Sequence, residues 1–249
     1  MITNKDTGGA FVGEGGWHVG VDGCRGGWCV AARRGALEWR FFCVSQWAEL
    51  WKELDPIRLC YVDMPIGLPG GGITRRACDF AARRLLGRGR ASSVFPPPAR
   101  ATLSTRDYVT ACAVNFEAAG CKISRQAFNI MPKIRELDEW LLSSSGFMDI
   151  ILEAHPELVF QRLAGNGWPL PLKREEAGRL ARERVLRQAA PASWELLMQA
   201  IRDTRKAVAS KEDWLDALAL AVACAENRGN AVLPEPERDQ LGLPMQIRY

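Results

Sequence analysis

The stretch Trp17-His18-Val19-Gly20-Val21-Asp22 is a short apolar run that ends on a carboxylate. A run of that length and composition reads as a buried strand, with Asp22 at its polar end. The same design returns at Leu59-Cys60-Tyr61-Val62-Asp63, where Asp63 closes a second apolar run. Two more aspartates lie in Lys211-Glu212-Asp213-Trp214-Leu215-Asp216-Ala217-Leu218, the start of an apolar segment with helical periodicity. Residues three apart share a helix face, so Asp213 and Asp216 are expected to point at one spot. Converging carboxylates repel one another unless a cation neutralises them, and hard oxygen donors suit Mg²⁺ or Mn²⁺. The four aspartates therefore read as a divalent-metal site suited to phosphoryl-transfer chemistry.

Around these runs the chain divides into recognisable elements. Trp17–Asp22, Trp28–Arg33 and Leu37–Cys43 read as three strands joined by the tight connections Gly23-Cys24-Arg25-Gly26-Gly27 and Arg34-Gly35-Ala36. Such spacing predicts an antiparallel meander. A helix is expected after Ser45, its N-cap, and Arg58–Asp63 is the fourth strand, returning parallel to the first. Then comes a Pro/Gly-rich loop, Met64–Gly72, followed by helices expected over Thr74–Leu86, Thr105–Ala119 and Gln126–Ser143. Ser92-Ser93-Val94-Phe95 leads into three prolines, a rigid extended loop. Asp149–Ala154 reads as a fifth strand, and Lys173–Gln188, Ala192–Lys206 and Glu212–Asn227 as helices. This organisation is an α/β fold in one domain, residues 16–230, with a helical insertion over about 68–146 seated above the sheet. A flexible leader, residues 1–15, precedes it, and an irregular Pro-rich tail, residues 231–249, packs on the body.

The totals narrow the class. A chain of 249 residues with 47% hydrophobic and 25% charged residues has the composition of a soluble globular protein. It lacks an apolar run long enough to span a bilayer, and its first ten residues have no signal-like core. Eight scattered cysteines without a CxxC pair, and only two histidines, argue for buried thiols in a reducing cytoplasm and against zinc. The net charge of +4 is uneven. Between Arg75 and Arg125 ten basic residues face three acids, an excess of seven, which leaves the remainder acidic. A basic field beside an acidic metal site suits a polyanion such as DNA or RNA, although a solvated Arg-rich helical surface has the same composition.

Three strands, helix, strand, strand and final helix, with acids on the first strand, the fourth strand and the last helix, resemble the ribonuclease-H-like fold. More specifically, the chain resembles domain-of-unknown-function family 429, described as predicted nucleases of that fold. The matching stretches are Gly20–Trp28, Val62–Gly67, Arg76–Asp79, Ser93–Pro96, Glu153–Glu157 and Asp213–Leu218. The resemblance implies a mixed five-stranded sheet flanked by helices, and a nuclease that hydrolyses phosphodiester bonds with two Mg²⁺ or Mn²⁺ ions. Asp22 would bridge the ions, with Asp63 and Asp213 or Asp216 completing the shell. Two ions about 4 Å apart would activate a water and stabilise the leaving 3′-oxygen. Resolvases of this fold work as dimers, so a homodimer is compatible, though no dimer surface is legible.

Each candidate also has a plainer reading. Asp22 precedes Gly23 and Asp63 precedes Met-Pro, both turn contexts. Asp213 suits the first turn of a helix, where an acid complements the dipole; Asp216, a turn further in among leucines, is the stronger ligand. Glu153 would add an oxygen and His155 a proton shuttle, while Glu157 fits a helix start. Arg76, Asp79 and Arg83 are either intrahelical ion pairs or phosphate contacts. Ser93 would hold a phosphate and Phe95 stack a base. Two other outcomes stay open: an enzyme on a small phosphorylated substrate, and a nucleic-acid-binding module that does not cut.

Overall fold

In the computed structural model, which describes residues 15–226 and 230–249, the first apolar run becomes the central strand of a five-stranded sheet. Strands β1 (Trp17–Cys24), β2 (Gly27–Arg34) and β3 (Glu38–Val44) form the antiparallel meander. Strand β4 (Ile57–Val62) pairs parallel to β1, and β5 (Ile151–Glu153) pairs parallel to β4, giving the order β3-β2-β1-β4-β5. This mixed sheet flanked by helices has the ribonuclease-H-like arrangement. The expected leader lies outside the described residues, apart from its last position.

Alternation along β1 sets the two faces. Val19 and Val21 look into a core shared with Met131, Ile134, Leu137 and Leu141 of α4 (Arg125–Ser143) and with Leu50 of the short α1 (Leu50–Glu53). Their neighbours His18, Gly20 and Asp22 look the other way, towards α8 (Lys211–Glu226). That second core is filled out by α5 (Pro156–Ala164), α6 (Glu176–Ala189) and α7 (Trp194–Asp203). The helical insertion contributes directly to this layering. Its α4 forms one of the two layers, with Glu136 accepting from the Trp28 indole at 3.0 Å and Lys133 donating to the Gly27 carbonyl at 2.6 Å. The other helices of the insertion are α3 (Tyr108–Ala119), which packs on α4, and α2 (Ala77–Leu86), which packs on α5.

Gly20 decides how closely α8 approaches. A Cβ there would collide with the Ala217 carbonyl oxygen and the Ala221 amide. With none, the helix backbone lies directly on β1, which brings the first turns of α8 beside the end of that strand.

Several boundaries differ from expectation for identifiable reasons. Ser45 is not a helix N-cap: its amide donates to Glu49 at 2.9 Å, and a 3₁₀ turn precedes α1. The second helix starts at Ala77 rather than Thr74 because Arg76 is drawn into a buried ion cluster. The third starts at Tyr108, capped by Asp107, which accepts from the Thr110 amide at 2.9 Å. The tail is more ordered than an irregular wrap: Glu237–Arg238 and Pro244–Met245 pair as a small hairpin. Arg248 then bridges parallel to Ala154 beyond β5.

Candidate functional site

Asp22 on β1 and Asp63 just after β4 meet at the same end of the sheet, locked side by side by the Asp63 amide donating to the Val21 carbonyl at 2.9 Å. By alternation both side chains project towards α8, where Asp216 is buried in the helix body. Asp213 sits one turn earlier. Its carboxylate accepts from the Ser210 amide at 2.8 Å while its own amide donates to the Ser210 hydroxyl at 3.2 Å. That reciprocal pair is a capping box, so one oxygen of Asp213 is committed to starting the helix.

Electrostatically the cluster is frustrated. Burial pushes the Asp22 carboxyl well up, and Asp63, Asp216 and Asp213 push it further. Burial likewise lifts Asp63, to about 7, with Asp216 adding to the shift. Asp216 is raised by burial too, although Lys173 opposes it. Solvent still reaches Asp22 and Asp63, because they lie on the floor of a cleft of about 180 Å³. Lys173 forms an ion pair with Asp216, and its charge is held well above the usual lysine range: burial opposes it, but Asp216, Asp22 and Asp63 outweigh that cost. One ammonium thus serves several carboxylates.

Do these residues fit a divalent cation? The donors are all hard carboxylate oxygens, and Asp216 Oδ1 is buried without a hydrogen-bond partner. Both observations suit Mg²⁺ or Mn²⁺. Among the described residues, however, no group of three acids, histidines or cysteines is close enough to hold one ion as the side chains stand. Loading would require Asp216 to leave Lys173 and the carboxylates to turn inward.

The cleft also gathers Arg76, Ser93, Phe95, Glu153 and His155. Their roles diverge from the sequence expectation. Glu153 pairs with Val62 in the register, so it faces the side opposite to Asp63. There it receives Arg76 at 2.6 and 2.8 Å and the Ile66 amide at 2.8 Å. Arg76, 2% exposed, also binds Asp79 and the Ile66 and Gly67 carbonyls. Every N–H of its guanidinium is engaged, leaving no donor for a substrate phosphate. Arg76, Asp79 and Glu153 are a clasp on the Met64–Gly72 loop rather than ligand contacts. Arg83 donates to the Val94 carbonyl at 2.8 Å and belongs to a different cavity.

His155 fits its proposed part better. Burial pushes its imidazole below the usual value, so it is neutral at physiological pH. Its ring bonds to the Ser93 backbone, and its Nδ1 is buried with no partner. The Ser93 hydroxyl is spent on the Arg90 carbonyl at 2.8 Å, but Phe95 stays half-buried on the cleft wall. The basic stretch is partly consumed inside the fold, since Arg76, Arg90 and Arg100 all face carboxylates.

Sequence reading missed Lys173 and underrated Glu157. Lys173 follows an irregular Pro-Leu-Pro-Leu stretch with no periodic signal. Glu157 is more than a helix-start acid: the Arg182 guanidinium grips it at 2.7 and 2.8 Å, and its charge raises both Asp63 and Asp216.

These shifts make a prediction with a definite sign. A carboxyl raised on folding binds more protons folded than unfolded, so its contribution to stability falls as pH climbs from about 4 through about 7. His155, lowered by burial, acts in the opposite sense below its ordinary value, but three carboxylates outweigh one imidazole. Without divalent cations, the Tm of wild type should therefore drop more steeply between pH 5 and pH 8 than that of Asp63→Asn. Parallel pH profiles would refute the mutual repulsion.

No described helix is long and apolar enough to cross a membrane. Searches of curated proteins and of solved structures find no match. A family model described as "Protein of unknown function (DUF429)" matches residues 20–239, which includes all four aspartates, the clasp and the cleft lining apart from Ile247. The chain belongs to that family.

Proposed function

We propose that the protein is a divalent-metal-dependent nuclease that hydrolyses phosphodiester bonds of nucleic acid in the cleft above Asp22 and Asp63. The observation that carries this reading is the cluster of Asp22, Asp63 and Asp216 at one sheet end, each carboxyl raised by burial and by like charge. Folding keeps such an arrangement only at a cost, and hard cations relieve it. Asp22, Asp63 and Asp216 would hold the ions, with the free oxygen of Asp213 at the edge. Bound there, Mg²⁺ or Mn²⁺ supplies Lewis-acid polarisation of a phosphate and neutralises charge on the departing oxygen. The chain's own residues do the remainder. Neutral His155 accepts or returns a proton at Nδ1, Phe95 offers a face to a base, and the clasp fixes the loop that follows Asp63. Eight free thiols suit a reducing, cytoplasmic setting.

A second reading is favoured by size. A cleft of about 180 Å³ encloses little more than one phosphate group and its neighbours, whether that group belongs to a small phosphorylated substrate or to one linkage of a polymer. Calorimetric titration of Mg²⁺ and Mn²⁺, with end-labelled single-stranded, duplex and branched DNA and RNA assayed in parallel, separates the two. Metal binding with cutting supports the nuclease; metal binding without cutting moves the proposal to the small substrate. Absence of metal binding defeats both.

Lys173→Met sharpens the test. Removing the cation that competes for Asp216 should tighten Mn²⁺ binding by about tenfold, roughly 1.4 kcal/mol. The metal-free variant should melt earlier, because Asp216 is left buried and unpaired. Weaker Mn²⁺ binding would show that Lys173 supports the ion site rather than competing for it.

A further inference from the structure

A second cavity, of about 310 Å³, opens on the other side of the Arg76–Asp79 clasp, between α2, the proline run and the link from α3 to α4. We propose that it binds a phosphomonoester carried on a flat heterocycle, that is, a mononucleotide or the terminal nucleotide of a strand. Its size lies at the lower end of the range of small-molecule sites, about 300–1,000 Å³. Four cations line it; Arg76 is committed to the clasp, which leaves Arg75, Arg83 and Lys122. Among the described residues none of the three has a carboxylate partner, and Arg83 spends only Nε, on Val94. The one acid in the lining, Asp79, is already neutralised by Arg76. The cavity is therefore positive, where the neighbouring cleft is negative.

A phosphomonoester carries close to two negative charges at neutral pH and accepts several charge-assisted hydrogen bonds. Two guanidinium groups and an ammonium match that charge and geometry. Apolar groups share the lining. Phe80, 50% exposed, stands at the mouth with the Arg75 guanidinium 6.0 Å from its ring centre, beside Pro96 and Pro97. A large aromatic left half in water beside rigid prolines offers a stacking face to a planar group. Unpaired cations and a flat apolar surface in one cavity select a ligand with both features, which neither inorganic phosphate nor a nucleoside has. The site uses neither the aspartates nor a metal, so it stands independently of the proposed activity.

The test is calorimetric titration in EDTA of the four nucleoside monophosphates, a nucleoside, inorganic phosphate, and oligonucleotides with and without a 5′-phosphate. Either the mononucleotides or the 5′-phosphorylated strands should bind, and which of them does identifies the source. Nucleoside and phosphate alone should be at least about tenfold weaker, since each lacks one half of the recognition. Arg75→Glu combined with Lys122→Glu, both at exposed positions, should cost at least about tenfold, and Phe80→Ala several-fold. Asp22→Asn should bind like wild type. The proposal is overturned if no phosphorylated nucleoside binds, if the double charge reversal binds normally, or if Asp22→Asn abolishes binding and so places the ligand in the other cleft.

Discussion

Asp22→Asn should abolish metal-dependent cleavage, by on the order of a thousandfold, and should make the metal-free protein more stable. The two effects share one cause. Burial raises the Asp22 carboxyl, and Asp63, Asp216 and Asp213 raise it further, so the charged form is disfavoured in the folded chain. An isosteric amide keeps the volume and removes one member of that repulsion. The expected gain is about 1–2 kcal/mol, in line with relieving a strained functional site. For a chain of this size it corresponds to roughly 2–8 °C in Tm. Magnesium should reverse the order: it binds and stabilises wild type by mass action but has a crippled site in the variant. Thermal melts of both proteins, with EDTA and with Mg²⁺, read the stability arm, and a cleavage assay reads the other. A variant that cuts normally removes Asp22 from the mechanism. A variant that is less stable in EDTA shows that Asp22 serves the fold.

The outline of the sheet was legible because its strands differ from their surroundings in composition. Trp17–Asp22 and Arg58–Asp63 are apolar runs bounded by turn residues, and the Asp-Gly and Arg-Gly corners mark the meander. Placement of Asp22, Asp63 and Asp216 in one cluster followed from strand ends and helix phase, both local properties. What local pattern could not supply was register. Whether Glu153 joins Asp63 or faces away depends on its pairing with Val62, and a shift of one residue reverses the answer. Lys173 was missed for another reason: the helix expected to begin at it begins at Glu176, and the irregular turn before that helix carries the ammonium to Asp216. The reach of α8 depends on one missing Cβ at Gly20, which in the sequence looks like a flaw in a strand. The basic stretch misled because composition counts charges without saying which are spent inside. Arg100, for example, is divided between Asp138 and Asp239, and it ties the insertion to the tail.

Arg76→Ala should cost about 3–5 kcal/mol, the penalty for breaking a buried ion cluster from one side. That is a large share of the 5–15 kcal/mol typical of a folded domain. Arg76 and its partners Asp79 and Glu153 are all buried, so truncation strands two carboxylates with one cation gone. It also releases the Ile66 and Gly67 carbonyls, which loosens the loop leading away from Asp63. Urea unfolding reads the loss as a lower midpoint. Truncation also removes packing volume, so the stricter test replaces the whole cluster. Arg76→Met with Asp79→Leu and Glu153→Leu removes all three charges together, and apolar packing of similar volume commonly matches a buried ion cluster in stability. The triple variant should therefore recover most of what the single one loses. Recovery would make the cluster a structural clasp, and the salt dependence of polyanion binding should then be the same as in wild type, since no phosphate contact has been lost. If the triple variant stays folded yet its salt slope drops by about one phosphate, Arg76 reaches the ligand after all, and the clasp opens during binding.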